Sequence, residues 1–529
     1  MKKFFAIAGA CLAAWMQGQH PLGAAAEKPV ALLPGLGIWT HPIATRNAQA
    51  QKFFDQGLVM LYGFNRPEAL RSFRKALELD PRAAMAQWGV AMALGPYLNM
   101  DMDPDIHIAE ACDAAATGSR TPGIAENDRA WLEAASSRCP DFSDPSKYIG
   151  AMHSLAARFP DDPDAQTWYA ESLMLRIRWH WYKASGEPAE GEQEAERVLE
   201  GVLRRFPNHP GANHLYIHAV ESSPTPERAV PSAQRLMGIV PAAGHIVHMP
   251  GHIWLVLGEY DFAVDVNQRA AQVDREYFAK TGLMGSYYPY YLHNLQFIIY
   301  ARAMQGRSAE TRQALTQIRT AAAGMPEMAG MVEGFATMME MRIGAWDSLS
   351  AAPKPPADPV AQTMWRYSRA LAFAARGRSA EAKNERAEFD KLRATLDRKI
   401  PWGNNPIGDV MDFASVALDA RMESQPAAAV AQWKRAVEMQ DALAYDEPPA
   451  WYYPVRESLG AAMLLSGDAA GAESVFREGL RRSPKNGRML FGLLESLKAQ
   501  GKTDAAAWVE REFQAAWKGA DVQLRLKDL

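Results

Sequence analysis

Seven of the twelve histidines in this 529-residue chain lie between positions 209 and 293. Chance placement would put about two there. Five of them fall in two short motifs. One runs from Asn213 to Glu221 and carries His214, His218 and Glu221; the other runs from Gly244 to Ile253 and carries His245, His248 and His252. Imidazole is the commonest protein metal ligand, and spacings of three, four and seven residues bring side chains to one face of a helix. The five histidines therefore form the ligand pool of a candidate metal site. Glu221 is a further ligand or a general base, and His293 a further ligand. Several imidazoles with one carboxylate and no thiolate nearby suit a transition metal ion, namely zinc, copper or iron. With one coordination position open, such a centre activates water for hydrolysis, or oxygen if the metal is redox-active. The corresponding enzymes are a metal-dependent hydrolase or oxidoreductase. The pool exceeds one coordination sphere, so either some members stand behind the ligands or two metals bind.

The elements that must position these residues are helices with a long period. Ala69, Phe73, Ala76 and Pro81 recur as Ala472, Phe476, Gly479 and Pro484, and this pattern resembles the second helix of a tetratricopeptide repeat. Ala195, Ala229 and Ala263 are 34 residues apart, as are Pro207 and Pro241, and Gly467 and Gly501. The expected fold is all-α, a tetratricopeptide-type α-solenoid of stacked helical hairpins in two arrays, about 50–350 and about 360–529, divided by the Pro-rich segment from Ala351 to Pro356. With Ala229 and Ala263 at position 20 of their repeats, His214 and His248 share position 5, His218 and His252 share position 9, and His245 takes position 2. His293 takes position 2 of the following repeat, and Glu221 takes position 12. The tetratricopeptide resemblance implies that positions 2, 5, 9 and 12 line a concave groove, which would set the two motifs side by side within it. Pro250 interrupts its helix between two ligands and is expected to re-aim them. His180, 34 residues before His214, is a possible outer member. The segment 277–291, rich in tyrosine, is expected to form a lid or rim, the alternative being that its aromatics simply pack. His20, His41, His107 and His153 read as ordinary core or surface histidines.

A groove of this kind has other uses. One alternative is a scaffold that holds a peptide, protein or small-molecule ligand without catalysis; another is metal storage or delivery. No GxSxG, HExxH, P-loop or dinucleotide fingerprint occurs, so a nucleotide cofactor is unsupported. A net charge of −4 without a basic run argues against a nucleic-acid partner.

The N-terminus, Lys2 and Lys3 followed by an apolar run and Ala24-Ala25-Ala26, reads as a signal peptide over 1–26. Its removal takes away two lysines and moves the net charge from −4 to −6. The mature chain is then exported, periplasmic or secreted, with no later stretch of membrane-spanning length. Cys112 and Cys139 either pair there or stay as two thiols.

Several segments together resemble a family of exported bacterial tetratricopeptide-repeat proteins with an HxxHMPxH motif. They are Phe54 to Leu58, Ala84 to Ala91, His214 to Glu221, His245 to Ile253, His293-Asn294, Tyr445 to Trp451 and Pro454 to Arg456. The resemblance spans most of the mature chain and implies the helical-repeat fold and export. Glu447, Trp451 and Tyr452 either face the groove or pack between repeats.

Overall fold

The computed structural model describes residues 27–99, 106–355 and 358–529. The expected signal peptide lies outside the described residues. The fold is all-α, of the tetratricopeptide α-solenoid class. Among the described residues, strands are confined to a paired β1 (Pro401–Trp402) and β2 (Asn405–Pro406) and one isolated bridge, Tyr182 to Pro188.

The chain forms two compact units. The first is the chain up to Ile253 together with Asp265–Asn294; the second is Trp254–Val264 together with Leu295–Leu529. The first contains α1 (Ala48–Tyr62), α2 (Arg66–Leu79), α3 (Ala84–Leu94), α4 (Ile108–Ser119), α5 (Glu126–Ser136), α6 (Ser146–Arg158), α7 (Pro163–Met174), α8 (Glu192–Arg205), α9 (Pro210–Glu221), α10 (Val230–Ile239) and α11 (Gly244–His248). The division then falls within three helices, α12 (Pro250–Val256), α13 (Tyr260–Thr281) and α14 (Tyr288–Met304). The expected break between Ala351 and Pro356 falls inside the second unit. The helices flanking it, α15 (Pro326–Arg342) and α16 (Trp346–Ala351) before and α17 (Pro359–Ala375) after, pack on one another.

One packing rule recurs in both units and follows from the period. Phe73 on α2 is fully buried, and a side chain at either Gly57 on α1 or Gly89 on α3 would strike its ring within 2.9 Å. In the second unit the fully buried Phe476 sits in the same way between Gly460 and Gly492. Each glycine is sixteen residues from its phenylalanine. The helix before and the helix after therefore both close on one ring, which locks three successive helices together. Asn65 caps α2 by accepting from the Glu68 amide, and the proline in its first turn needs no amide partner.

Cys112 on α4 and Cys139 after α5 are joined as a disulfide. In the second unit a fully buried ion pair, Arg342 to Glu457 at 2.6 Å, is steadied by Asn486 donating to the same carboxylate at 2.8 Å.

Phe73→Ala and Phe476→Ala are each expected to cost about 3–5 kcal/mol. Denaturant unfolding followed by circular dichroism measures this; a loss under 1 kcal/mol in both would mean the ring is not the wedge described.

Candidate metal centre

The site belongs wholly to the first unit. Its first helix, α9, begins at His209, whose Nδ1 accepts from the Ala212 amide at 3.0 Å as an N-cap. Pro210 follows in the first turn. This start sets His214 and His218 one turn apart, with ring centroids 4.8 Å from each other. The second motif is broken where expected. Pro250 cannot donate a backbone hydrogen bond, and the helix divides into α11, ending at His248, and α12, beginning at Pro250. At Gly251 a Cβ would lie 2.5 Å from the Asn267 side chain, so the bare backbone lets α12 close on α13. Asn267 then reaches His248. His293 comes from α14.

All seven predicted residues converge. His214, His218, Glu221, His245, His248 and His252 are at most 2% exposed, and His293 is partly exposed. Three groups emerge whose ligand atoms lie within 4.8 Å of one another: His214, His218 and His245; His248, His252 and His293; and His218, Glu221 and His252. His180 is exposed and outside these groups.

Hydrogen bonds fix which nitrogen faces inward. His214 Nδ1 donates to the Tyr62 carbonyl at 2.6 Å. His248 Nδ1 donates to Asn267 Oδ1 at 2.6 Å. His218 Nδ1 and His252 Nδ1 donate to the two oxygens of Glu221, at 2.8 and 2.6 Å. Each of these four rings therefore turns its Nε2 away from that partner and into the cluster. The Nε2 atoms of His248 and His252 lie 2.7 Å apart, at hydrogen-bond distance. His245 Nε2 stands 3.2 Å from His214 Nε2. His218 Nε2 and His245 Nδ1 are buried with no hydrogen-bond partner. Burial disfavours the protonated form of four of the rings. It brings His214 down to about 3 and, with repulsion from the neighbouring rings, holds His218, His245 and His248 well below the ordinary histidine value.

Aromatic side chains close over the site. Phe64 lies 4.5, 6.1 and 5.1 Å from His214, His218 and His245, ring centre to ring centre. Trp179 meets His218 edge-on at 5.1 Å. Phe64 and Trp179 both hold left-handed backbone, at φ 54° and 62°. A bulky residue adopts that conformation only when its surroundings impose it, and here both rings end on the same histidine. Tyr290 packs on His245 at 4.7 Å. The expected open groove is therefore filled at this point. The tyrosines of this segment are core rather than rim: Tyr277, Tyr287, Tyr288, Tyr290 and Tyr291 are all buried, and Tyr287 accepts from the His245 amide at 3.0 Å and donates to buried Asp274 at 3.1 Å.

A second polar centre was not expected. Asp164 accepts from Tyr62 (2.6 Å), Trp39 (3.1 Å), His209 Nε2 (3.1 Å) and His41 Nδ1 (2.9 Å). His41 is thus no ordinary histidine but half of a buried ion pair, and with Asp162 and Asp164 it forms a fourth group of potential ligands. The carboxylate of Asp164 is already saturated by protein donors, and Asp162 caps α7, which makes this a structural network. It adjoins the histidine cluster because Tyr62 gives its hydroxyl to Asp164 and its carbonyl to His214. In the second unit, Glu447 and Trp451 line a cavity of about 320 Å³ and Tyr452 lines another of about 230 Å³. Trp451 is also packed edge-on by Tyr367 and Phe413.

No protein-family model matches the chain, and no curated protein matches it. Among solved structures it is similar to a human IFIT1 dimer with m7Gppp-AAAA, at 10% identity and a TM-score of 0.31, over 90% of this chain and 91% of that one. Yeast Tom70 is similar at 11% identity and 0.29, over 88% and 90%. The Cut9 and Hcn1 hetero-tetramer of APC/C is similar at 12% identity and 0.35, over 88% and 73%.

For Asp164, burial opposes ionisation, but hydrogen bonds from His209 and His41 hold its pKa well below the ordinary 3.8. For His41, burial opposes the proton, but Asp164 outweighs it and raises the pKa above 6.5. The Asp164 share of stability is lost as pH falls through its depressed value, and the His41 share as pH rises through its raised one. Asp164→Asn should therefore cost most, about 3–5 kcal/mol, between pH 3.8 and 6.5. The cost should shrink at higher pH, and a pH-independent difference in unfolding free energy would contradict the pairing.

Proposed function

We propose that this chain is an exported helical-repeat protein whose function is carried by a transition-metal centre in the buried histidine cluster. The observation that carries this reading is the convergence of six imidazoles in two groups of three whose ligand nitrogens lie within 4.8 Å of one another, with two nitrogens of that cluster, His218 Nε2 and His245 Nδ1, buried without a hydrogen-bond partner. Imidazole nitrogens without a thiolate suit zinc, copper or iron. Partners of this kind, a carbonyl, an amide and a carboxylate behind the imidazoles, are what orients ligands around a metal. Glu221, with an imidazole on each oxygen, acts in this reading by positioning His218 and His252.

Three nitrogens per ion leave a coordination position for water or a small substrate, which is the arrangement of catalytic rather than structural metal sites. Metal-dependent chemistry on a small molecule is thus the favoured activity. A peptide-binding groove at this place is disfavoured, because six of the seven residues are at most 2% exposed. Export is supported by the signal-like N-terminal sequence and by the Cys112–Cys139 disulfide, a bond that persists in oxidising compartments.

Metal analysis of the full chain, purified after incubation with zinc, copper or iron salts and gel filtration, tests the reading. At least one tightly held equivalent is expected, with His248→Ala and His252→Ala lowering it while far-UV circular dichroism stays helical. Retention of less than about a tenth of an equivalent of every metal would end the proposal.

A further inference from the structure

The six histidines divide into two trios with no member in common: His214, His218 and His245, and His248, His252 and His293. The trios are copies of one another in sequence. His214 and His248 occupy one repeat position, 34 residues apart, and His218 and His252 occupy another. His245 and His293 both stand at position 2 of the repeat that follows. Each trio is therefore built by one rule: two imidazoles four residues apart in the first-helix segment of a repeat, unbroken for His214 and His218 and divided at Pro250 for His248 and His252, and a third from the start of the next hairpin.

The trios are also copies in geometry. In the first, ring centroids are 4.8 Å (His214 to His218), 4.9 Å (His214 to His245) and 6.4 Å (His218 to His245) apart. In the second, the corresponding separations are 4.6, 4.9 and 6.1 Å. In the first trio, His218 Nε2 and His245 Nδ1 are buried without partners. In the second, the Nε2 atoms of His248 and His252 approach to 2.7 Å with His293 in the same group. No imidazole belongs to both trios, so an ion held by one does not draw on the ligands of the other. The trios nonetheless touch, with His218 and His252 at 5.4 Å and His245 and His248 at 5.6 Å, and Glu221 holds one ring of each.

We infer that the repeat has duplicated a three-histidine site and that the chain binds two transition-metal ions, one per trio, as an adjacent pair. This rests on the metal-centre reading above and adds to it the number of ions and the assignment of ligands. Glu221 stays outside both ligand sets and ties the two together. A paired centre with an open position on each ion takes a small ligand that can bridge them, such as water, hydroxide or a diatomic molecule.

The probes are copper(II) and zinc(II) salts, each titrated into the metal-free full chain, with bound metal counted by elemental analysis after gel filtration. Two equivalents are expected at saturation for the unaltered chain. His293→Ala, at the partly exposed member of the second trio, should retain one equivalent, and so should His245→Ala in the first; the double variant should retain none. Far-UV circular dichroism checks that each variant stays folded, and the two-equivalent count requires no variant at all. Saturation at one equivalent in the unaltered chain would overturn the pair and leave the metal-centre reading intact. No bound metal would overturn both. Loss of both ions from either single variant would overturn the division into trios.

Discussion

Glu221 sets each of its carboxylate oxygens on the Nδ1 of a different histidine, His218 on its own helix and His252 on the next hairpin. A carboxylate only accepts, so both rings donate from Nδ1 and turn Nε2 away from it. The Tyr62 carbonyl and Asn267 impose the same orientation on His214 and His248. Four imidazoles are thus held with their Nε2 atoms turned inward. The arrangement of the cluster follows from this constraint, including the approach of His248 and His252 through their Nε2 atoms.

Holding such a cluster costs stability, and the surrounding structure bears that cost. Polar atoms are buried without protein partners, helix α11 is cut short at a proline, and Phe64 and Trp179 sit in backbone conformations that their side chains disfavour. The offset comes from packing that has no polar demand. Phe73, Phe476 and the glycines on either side of them make the hairpin stack rigid in each unit, and the saturated Asp164 network anchors Tyr62 beside the cluster.

Much of the fold was legible because the sequence repeats. The 34-residue period identified the hairpins, marked Phe73 and Phe476 as equivalent positions, and put His214 with His248 and His218 with His252 at equivalent positions. It also brought in His293 across an insertion. What the period could not convey was what lies over the face it defined. Phe64, Trp179 and Tyr290 come from segments outside the histidine motifs, and they turn an expected groove into an interior. The tyrosines of 277–291 looked like a rim because aromatic residues in an insertion carry no periodic signal of burial. His41 was passed over for a related reason: its partner Asp164 is 123 residues away, and nothing local marks either as charged and buried. Glu221 was found but its role was left open, since sequence shows that a carboxylate is near and not which nitrogens it engages.

Each trio draws its imidazoles from two successive hairpins, and that has a mechanical meaning for a repeat protein. In such arrays stability is a sum of terms within repeats and between neighbours. A ligand bridging two hairpins adds to the between-neighbour term alone. Two such bridges in sequence, sharing the middle hairpin, would fuse three repeats into one cooperative block inside an otherwise modular chain. An ion held in each trio would then govern where the array can fray.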